Sequence, residues 1–344
     1  MPSVSGREVR VALKKAAVWG TAVACGAGDG ILCLADSMKK KINSEVDNSL
    51  GLAFAEDRDQ GNIVVEGGLP AYLRYDSHDR PIALAMGSTQ APTQQGATAA
   101  YVNSILLADN IDGLFASLAI NKIINVDEFP SDKIVGFTIK GVSGQVVMIE
   151  YIKICNDKVV ASIVNNLTSF ANVTYLEKTN RVLFGQGVFR INAQAGGALA
   201  DGDIVTPSAF EFTFKRNLKG EYVAGSANKI DEPTNEGVPE IKLKLTFARY
   251  TATTYIADLF ADVKKKMDIT FTGAVIEGAY SRQFKLQFPN LAYSDADAPT
   301  KEAKLDNVVE FDCLATTAAP TGMAGILKPF QVNLINKRTT SPLA

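Results

Sequence analysis

Ile241 to Phe260 reads IKLKLTFARYTATTYIADLF, and two periodicities meet inside it. Along IKLKLTF the apolar side chains Ile241, Leu243, Leu245 and Phe247 occupy every second position, with Lys242, Lys244 and Thr246 between them. Successive side chains of a strand point to opposite faces, so this is a strand with one buried and one wet face. After the Arg249-Tyr250 pair the apolar spacing lengthens, and Thr253 to Lys266 reads as a helix. Half a chain earlier the same succession occurs: Tyr72 to Met86 reads YLRYDSHDRPIALAM, with a strand end, an Arg74-Tyr75 pair and a helix over Arg80 to Met86.

The echo extends in both directions. Upstream, AGDGILCLADSMKKKI (Ala27 to Ile42) resembles ADGDIVTPSAFEFTF (Ala200 to Phe214), and the acidic pairs Glu56-Asp57 and Asp231-Glu232 each precede a glycine and a strand. Downstream, FASLAINKIINVDEFPSDKIVGFTI (Phe115 to Ile139) answers to KMDITFTGAVIEGAYSRQFKLQF (Lys266 to Phe288), each with two alternating runs about a turn. VVMIEYIKIC, ending at Cys155, pairs with NVVEFDCLA around Cys313. Order is kept while spacing drifts, as insertions in surface loops allow. The chain is therefore expected to be mainly β: two tandem similar β-sandwich or barrel domains, each with one flanking α-helix. Residues 1–178 form the first, with an extra loop near 88–112. Residues 179–344 form the second, whose tail from Lys328 to Ala344 is either an ordered arm or a closing strand.

A length of 344 residues exceeds what one core usually organises, and 47% hydrophobic with 21% charged residues is ordinary globular composition. A formal net charge of -2 supplies no basic field for gripping nucleic acid. The triplets Lys39-Lys40-Lys41 and Lys264-Lys265-Lys266 fall at non-equivalent places in the repeat. Cys25, Cys33, Cys155 and Cys313 form no C-x-x-C, and His78 is the sole histidine, so these cysteines read as small buried hydrophobes in a reducing compartment. No apolar run is long enough to cross a bilayer. Lys14-Lys15 followed by AAVWGTAVAC imitates a secretory signal ending at Cys25, but Trp19, Gly20 and Thr21 interrupt it.

Catalytic patterns are sparse. His78 is the only candidate imidazole base, and YDSHDRP reads as a polar turn with Asp76, Ser77 and Asp79 solvated. Gly26, Gly28 and Gly30 in CGAGDG lack the Lys-Ser or Lys-Thr of a phosphate loop, and Asp201-Gly202-Asp203 lacks the further oxygens of a calcium loop. Neighbouring acids on extended backbone point to opposite faces, so Glu56-Asp57 and Asp231-Glu232 read as solvated loop edges. We therefore expect no catalytic, cofactor-binding or metal-binding residue, no cofactor and no enzymatic activity. Arg74 and Arg249 are expected to hold structure, with Tyr75 and Tyr250 packing beside them.

WGTAV (Trp19 to Val23), the strand from Ile31, DQGNIVVEGGLPAYLRYD (Asp59 to Asp76) and LFASLAINKIINVDEFPSDKIVGFTIKGVSGQ (Leu114 to Gln145) together resemble tail tube proteins of long-tailed bacteriophages. The resemblance implies a sandwich with a flanking helix, sheets continued between subunits into a ring, and rings stacked through a long hairpin or loop and a terminal arm. The usual ring holds six tube domains. A duplicated chain then implies a homo-oligomer, a trimer of pseudo-sixfold symmetry, with a hexamer as the other possibility. Implied partners are tape measure, tail terminator and distal tail proteins, with DNA passing through the lumen without sequence-specific binding and no membrane. The implied location is the virion tail, assembled in the bacterial host cytoplasm. The segment Ser88 to Asp112 turns apolar from Tyr101 to Ala108, which suits either contact with a neighbouring ring or a plain solvent-exposed insertion. Phosphates slide best past a neutral or acidic wall, so acids such as Glu56, Asp57, Asp231 and Glu232 are expected to outnumber lysines there. Three alternatives stay open: a two-domain carbohydrate-binding or adhesive module with an exposed aromatic platform, a hydrolase with clustered acids, and the tube of a contractile injection or secretion device.

Overall fold

The computed structural model describes residues 5–50, 54, 57–250, 252–297 and 305–344. The first half contributes β1 (Arg10–Ala16), β2 (Gly30–Ile31), β3 (Lys39–Val46), β4 (Arg58–Tyr72) and helix α1 (Asp79–Met86). It continues with β5 (Gly87–Thr89), β6 (Thr93–Gln94), β7 (Tyr101–Leu107), β8 (Phe115–Asn121), β9 (Val126–Val142) and β10 (Met148–Cys155). After the one-turn helix α2 (Leu167–Phe170) come β11 (Gly187–Ala193), β12 (Ile204–Val205), β13 (Ala209–Lys219), β14 (Thr234–Phe247) and helix α3 (Thr254–Phe260). The chain closes with β15 (Lys265–Glu277), β16 (Tyr280–Asp297), β17 (Asn307–Cys313) and β18 (Gln331–Asn336).

The molecule is mainly β and its neighbouring strands pair antiparallel. One layer of the sandwich runs β3-β4-β10-β9-β13-β14-β17-β16. The other consists of β2-β1-β8 joined to the start of β9, and β12-β11-β15 joined to the start of β16, which β18 and β7 extend. Because β9 and β16 are long, each serves both layers. Pairings made in the first half recur in the second: β1 with β2 and β8, β8 with β9, β9 with β10, β10 with β4 and β4 with β3 correspond to β11 with β12 and β15, β15 with β16, β16 with β17, β17 with β14 and β14 with β13.

Alternation along β13 builds the core. Phe210, Phe212 and Phe214 point inward on every second position and are buried. Phe210 meets Phe189 of β11 and Phe271 of β15 at ring-centroid distances of 5.5 and 5.8 Å. Phe212 meets Phe288 of β16 at 5.1 Å and Phe330 at 4.9 Å, and Phe214 meets Phe137 of β9 at 5.5 Å. These edge-on and tilted contacts add to the burial of large rings and lock the two layers together.

One expectation changes, and two readings left open are narrowed. The helix expected over Thr253 to Lys266 stops at Phe260, because Asp262 adopts a left-handed φ of 50° and Met267, Ile269 and Phe271 then resume period two as β15. The apolar run from Tyr101 is not a plain exposed insertion: as β7 it pairs with β18 and β5 of its own chain and buries Asn103, Ile105 and Leu107. The tail beyond Lys328 supplies β18, a strand between β16 and β7, and Lys14-Lys15 lie within β1. Among the described residues no helix is long and apolar enough to cross a membrane.

Candidate assembly interface

The two halves meet where β9 pairs with β13, in a register running from Val142 opposite Ala209 to Gly136 opposite Lys215. Backbones approach closely there. A Cβ on Gly136 would lie 2.1 Å from the Phe214 carbonyl oxygen, so only glycine fits. On the wet face Lys140 bridges to Glu211 across the seam at 3.0 Å. One residue beyond the seam, at a bulge, the buried Arg216 donates from Nε to the Ala85 carbonyl (3.0 Å) and from Nη2 to the carbonyls of Met86 (2.9 Å) and Ala108 (2.7 Å). The Ala85 and Met86 carbonyls are left without helical partners at the end of α1, and a cation there also complements the helix dipole. Burial lowers the Arg216 guanidinium to about 10, so it stays charged at neutral pH. Under this cover Pro81 to Met86 are all buried.

The same layer ends in two open margins. Among the described residues β3 pairs only with β4, and it is exposed along its length. Just before it, residues 34–38 follow β4 through Leu34 N–H to the Pro70 carbonyl (2.8 Å) and Ser37 N–H to the Gly68 carbonyl (3.1 Å), without forming a regular strand. At the other margin Ala292 to Asp297 pair with β17, and among the described residues no strand lies on their far side. Beside that margin α3 packs on β16 with no buried residue, and Phe260 is 83% exposed. Strand edges of this kind offer N–H and C=O groups to another strand.

Between the margins the wet face carries charge that alternates from β9 to β17 and ends in the opposed acids Glu310 and Asp295. One row of directly opposed residues runs Met148, Lys140, Glu211, Lys244, Glu310, Asp295 across β10, β9, β13, β14, β17 and β16. Lys244 bridges to Glu310 at 2.5 Å, within reach of solvent. The adjacent row runs Glu150, Thr138, Thr213, Lys242, Asp312. Opposite charges facing each other across strands stabilise the pairing and cancel the field seen from outside.

The acids singled out from sequence are elsewhere. Glu56 lies outside the described residues. Asp57 is exposed and accepts from the Arg58 N–H at 2.7 Å, and Asp231 is exposed beside the β13–β14 loop. Glu232 is bound to the buried Lys133 ammonium and accepts from the Gly113 N–H at 2.7 Å. Three described acids are thus not brought together. Glu150, Glu211 and Glu310, which line the wet face, went unremarked, although each sits at a polar position of an alternating strand.

The turn around His78 is also corrected. Asp76, Ser77, His78 and Asp79 are buried, not solvated. Arg282 from β16 binds Asp76 at 2.9 Å, Arg338 binds Asp79 at 3.1 Å, and His78 Nδ1 lies 2.7 Å from the Tyr151 hydroxyl. Side chains far along the chain fold over this turn, and nothing local announces them. Arg74 is buried and donates to the Tyr72 carbonyl at 3.3 Å, and Tyr75 is buried with its hydroxyl donating to Gln186 Oε1 at 2.9 Å. Arg249, by contrast, is exposed and lines a cleft with Tyr255, Asp258 and Lys265, and Tyr250 is half-buried.

Other candidates take structural places. Trp19 is half-buried, edge-on to Phe115 at 5.2 Å, and donates to the Ile230 carbonyl at 3.1 Å, so it offers no exposed platform. Lys40 pairs with Asp157 at 2.6 Å, and the buried Lys266 donates to the carbonyls of Gly196 (2.7 Å) and Thr321 (3.0 Å). All four cysteines are free thiols, and burial pushes Cys25 up to about 12. Gly28 has a left-handed φ of 77°, as a turn requires, and Asp201–Asp203 is a single 3-10 turn. Among the described residues no group of three or more His, Cys, Asp or Glu is placed to hold a metal.

A family model described as "Phage tail tube protein" matches residues 6–327. A search of curated proteins found no match.

Proposed function

The chain belongs to the phage tail tube protein family, and from that premise we propose that it is a structural virion subunit whose copies polymerise into stacked rings enclosing a conduit for DNA. One observation carries the proposal: a single eight-membered run of strands ends in two open margins, while the equivalent contact inside the molecule is already made by β9 and β13. A monomer leaves those margins as unpaired strand edges, whereas a closed ring consumes them.

In this reading residues 1–178 and 179–344 are two copies of one tube domain, and three chains supply the six domains of a ring. The recurring strand pairings support the duplication. The wet face of the long layer becomes the bore. Its alternating lysines and glutamates give phosphates no counterion-releasing surface to grip, so DNA slides past without sequence preference. The reading includes a virion tail location, assembly in the host cytoplasm, tape measure, terminator and distal tail proteins as partners, and no catalysis.

Negative-stain microscopy with light scattering on the purified protein tests this. Rings or tubes whose mass is a multiple of three chains are expected. A protein that stays monomeric up to its solubility limit refutes the proposal.

A further inference from the structure

Resting on that reading, the seam between the halves identifies the joint between copies residue by residue. Strands of the two halves align through their partners. Tyr151 and Phe311 occupy matching inward positions of β10 and β17, opposite Leu69 and Leu243, and each is preceded by a glutamate on the wet face, Glu150 and Glu310. Thr138 lies opposite Glu150, and Asp295 lies opposite Glu310, so Asp295 stands on β16 where Thr138 stands on β9. Lys215 lies opposite Glu240, three residues before Leu243; Lys39 lies opposite Glu66, three residues before Leu69. Lys39 therefore stands where Lys215 stands, and Ser37 where Thr213 stands. Burial agrees, because Phe214 and Met38 face inward at the intervening position.

Within the molecule Thr138 and Thr213 are directly opposed across the seam. We infer that Ala292 to Asp297 of one copy pair antiparallel with residues 34–39 of the next, with Asp295 opposite Ser37. The chemistry of the two edges fits. Asp295 then lies diagonal to Lys39, within reach of a long side chain, and an acidic margin meets the Lys39-Lys40-Lys41 strand. The irregularity of residues 34–38 also gains a reason. Ala209 to Lys215 form a regular strand with partners on both sides, whereas among the described residues β4 is the one strand beside residues 34–38. The missing flank is a second copy of this chain, and the contact is head to tail, with different surfaces meeting.

The full-length variant Ser37→Cys/Asp295→Cys tests the joint. Both positions are exposed, so each variant should fold, with circular dichroism as the check. Under oxidation the double variant should form reducible multimers up to a closed ring on a non-reducing gel, while each single variant gives none. Mixing Ser37→Cys with Asp295→Cys should yield one covalent dimer and nothing larger, since each copy then holds half of one linkable joint. Amide exchange at residues 34–38 should slow at least tenfold on assembly. Rings in the microscope without these cross-links, or cross-links from a single variant, overturn this joint and leave the tube reading standing. A wild-type chain that never assembles removes both.

Discussion

At the scale of single residues, His78 shows what burial does to an ionisable group. Desolvation, reinforced by the nearby Arg74 charge, lowers its imidazole from 6.5 to about 3. The unfolded chain takes up this proton first as pH falls. The stability gained by keeping the ring neutral is therefore complete above about pH 6.5 and is lost towards pH 3, at about 1.4 kcal/mol per pH unit for a one-proton difference. Urea unfolding between pH 6 and 4 should show a curve shallower by about that amount for His78→Gln than for the parent chain. An unchanged slope would mean that the ring is solvated. Arg216 is the second such residue. Arg216→Met leaves the Ala85 and Ala108 carbonyls without this donor, while Met86 keeps the Ala108 N–H, and should cost on the order of 2–4 kcal/mol by the same assay, with Arg216→Lys less damaging.

At the scale of elements, the β9–β13 pairing depends on Gly136. Since an added Cβ would meet a backbone oxygen that cannot swing away, Gly136→Ala should force the strands apart and lower stability by roughly 3 kcal/mol or more. Gly185→Ala meets nothing within 4 Å and should stay within about 0.5 kcal/mol, so the pair separates steric exclusion from a general glycine effect. Phe330 lies just before β18 and touches Phe137, Phe212, Phe214 and Phe288, drawing β9, β13 and β16 together. Phe330→Ala should cost about 3–5 kcal/mol in chemical unfolding, as truncation of a fully buried ring does.

For the whole molecule the decisive property is electrostatic balance on the wet face. Opposed Lys140–Glu211 and Lys244–Glu310 pairs cancel one another, so assembled wild-type tubes should not retain duplex DNA even at about 50 mM salt. The triple variant Glu150→Lys/Glu211→Lys/Glu310→Lys should retain it, with binding that weakens steeply as salt rises. Retention by wild-type tubes in a filter assay would contradict a sliding surface.

Much of the architecture was legible because it is written in periodicity. IKLKLTF, VVMIEYIKIC and KIVGFTI each display the period of two that a half-wet strand requires, and all three fall in strands. The order of those runs likewise suggested a chain saying the same thing twice. What stayed illegible depends on residues far apart in sequence. The buried charges of the His78 turn are compensated by Arg282 and Arg338, and β7 is hidden by β18. The acids of the wet face could be seen as polar positions, but their neighbours across β9, β13, β14 and β17 could not. The sequence by itself determined which side chains alternate and hence which segments become strands, because local sterics and the pleat fix that. Only the tertiary structure decided which strands meet, which charges cancel and which two margins are left open, because those depend on long-range pairing register.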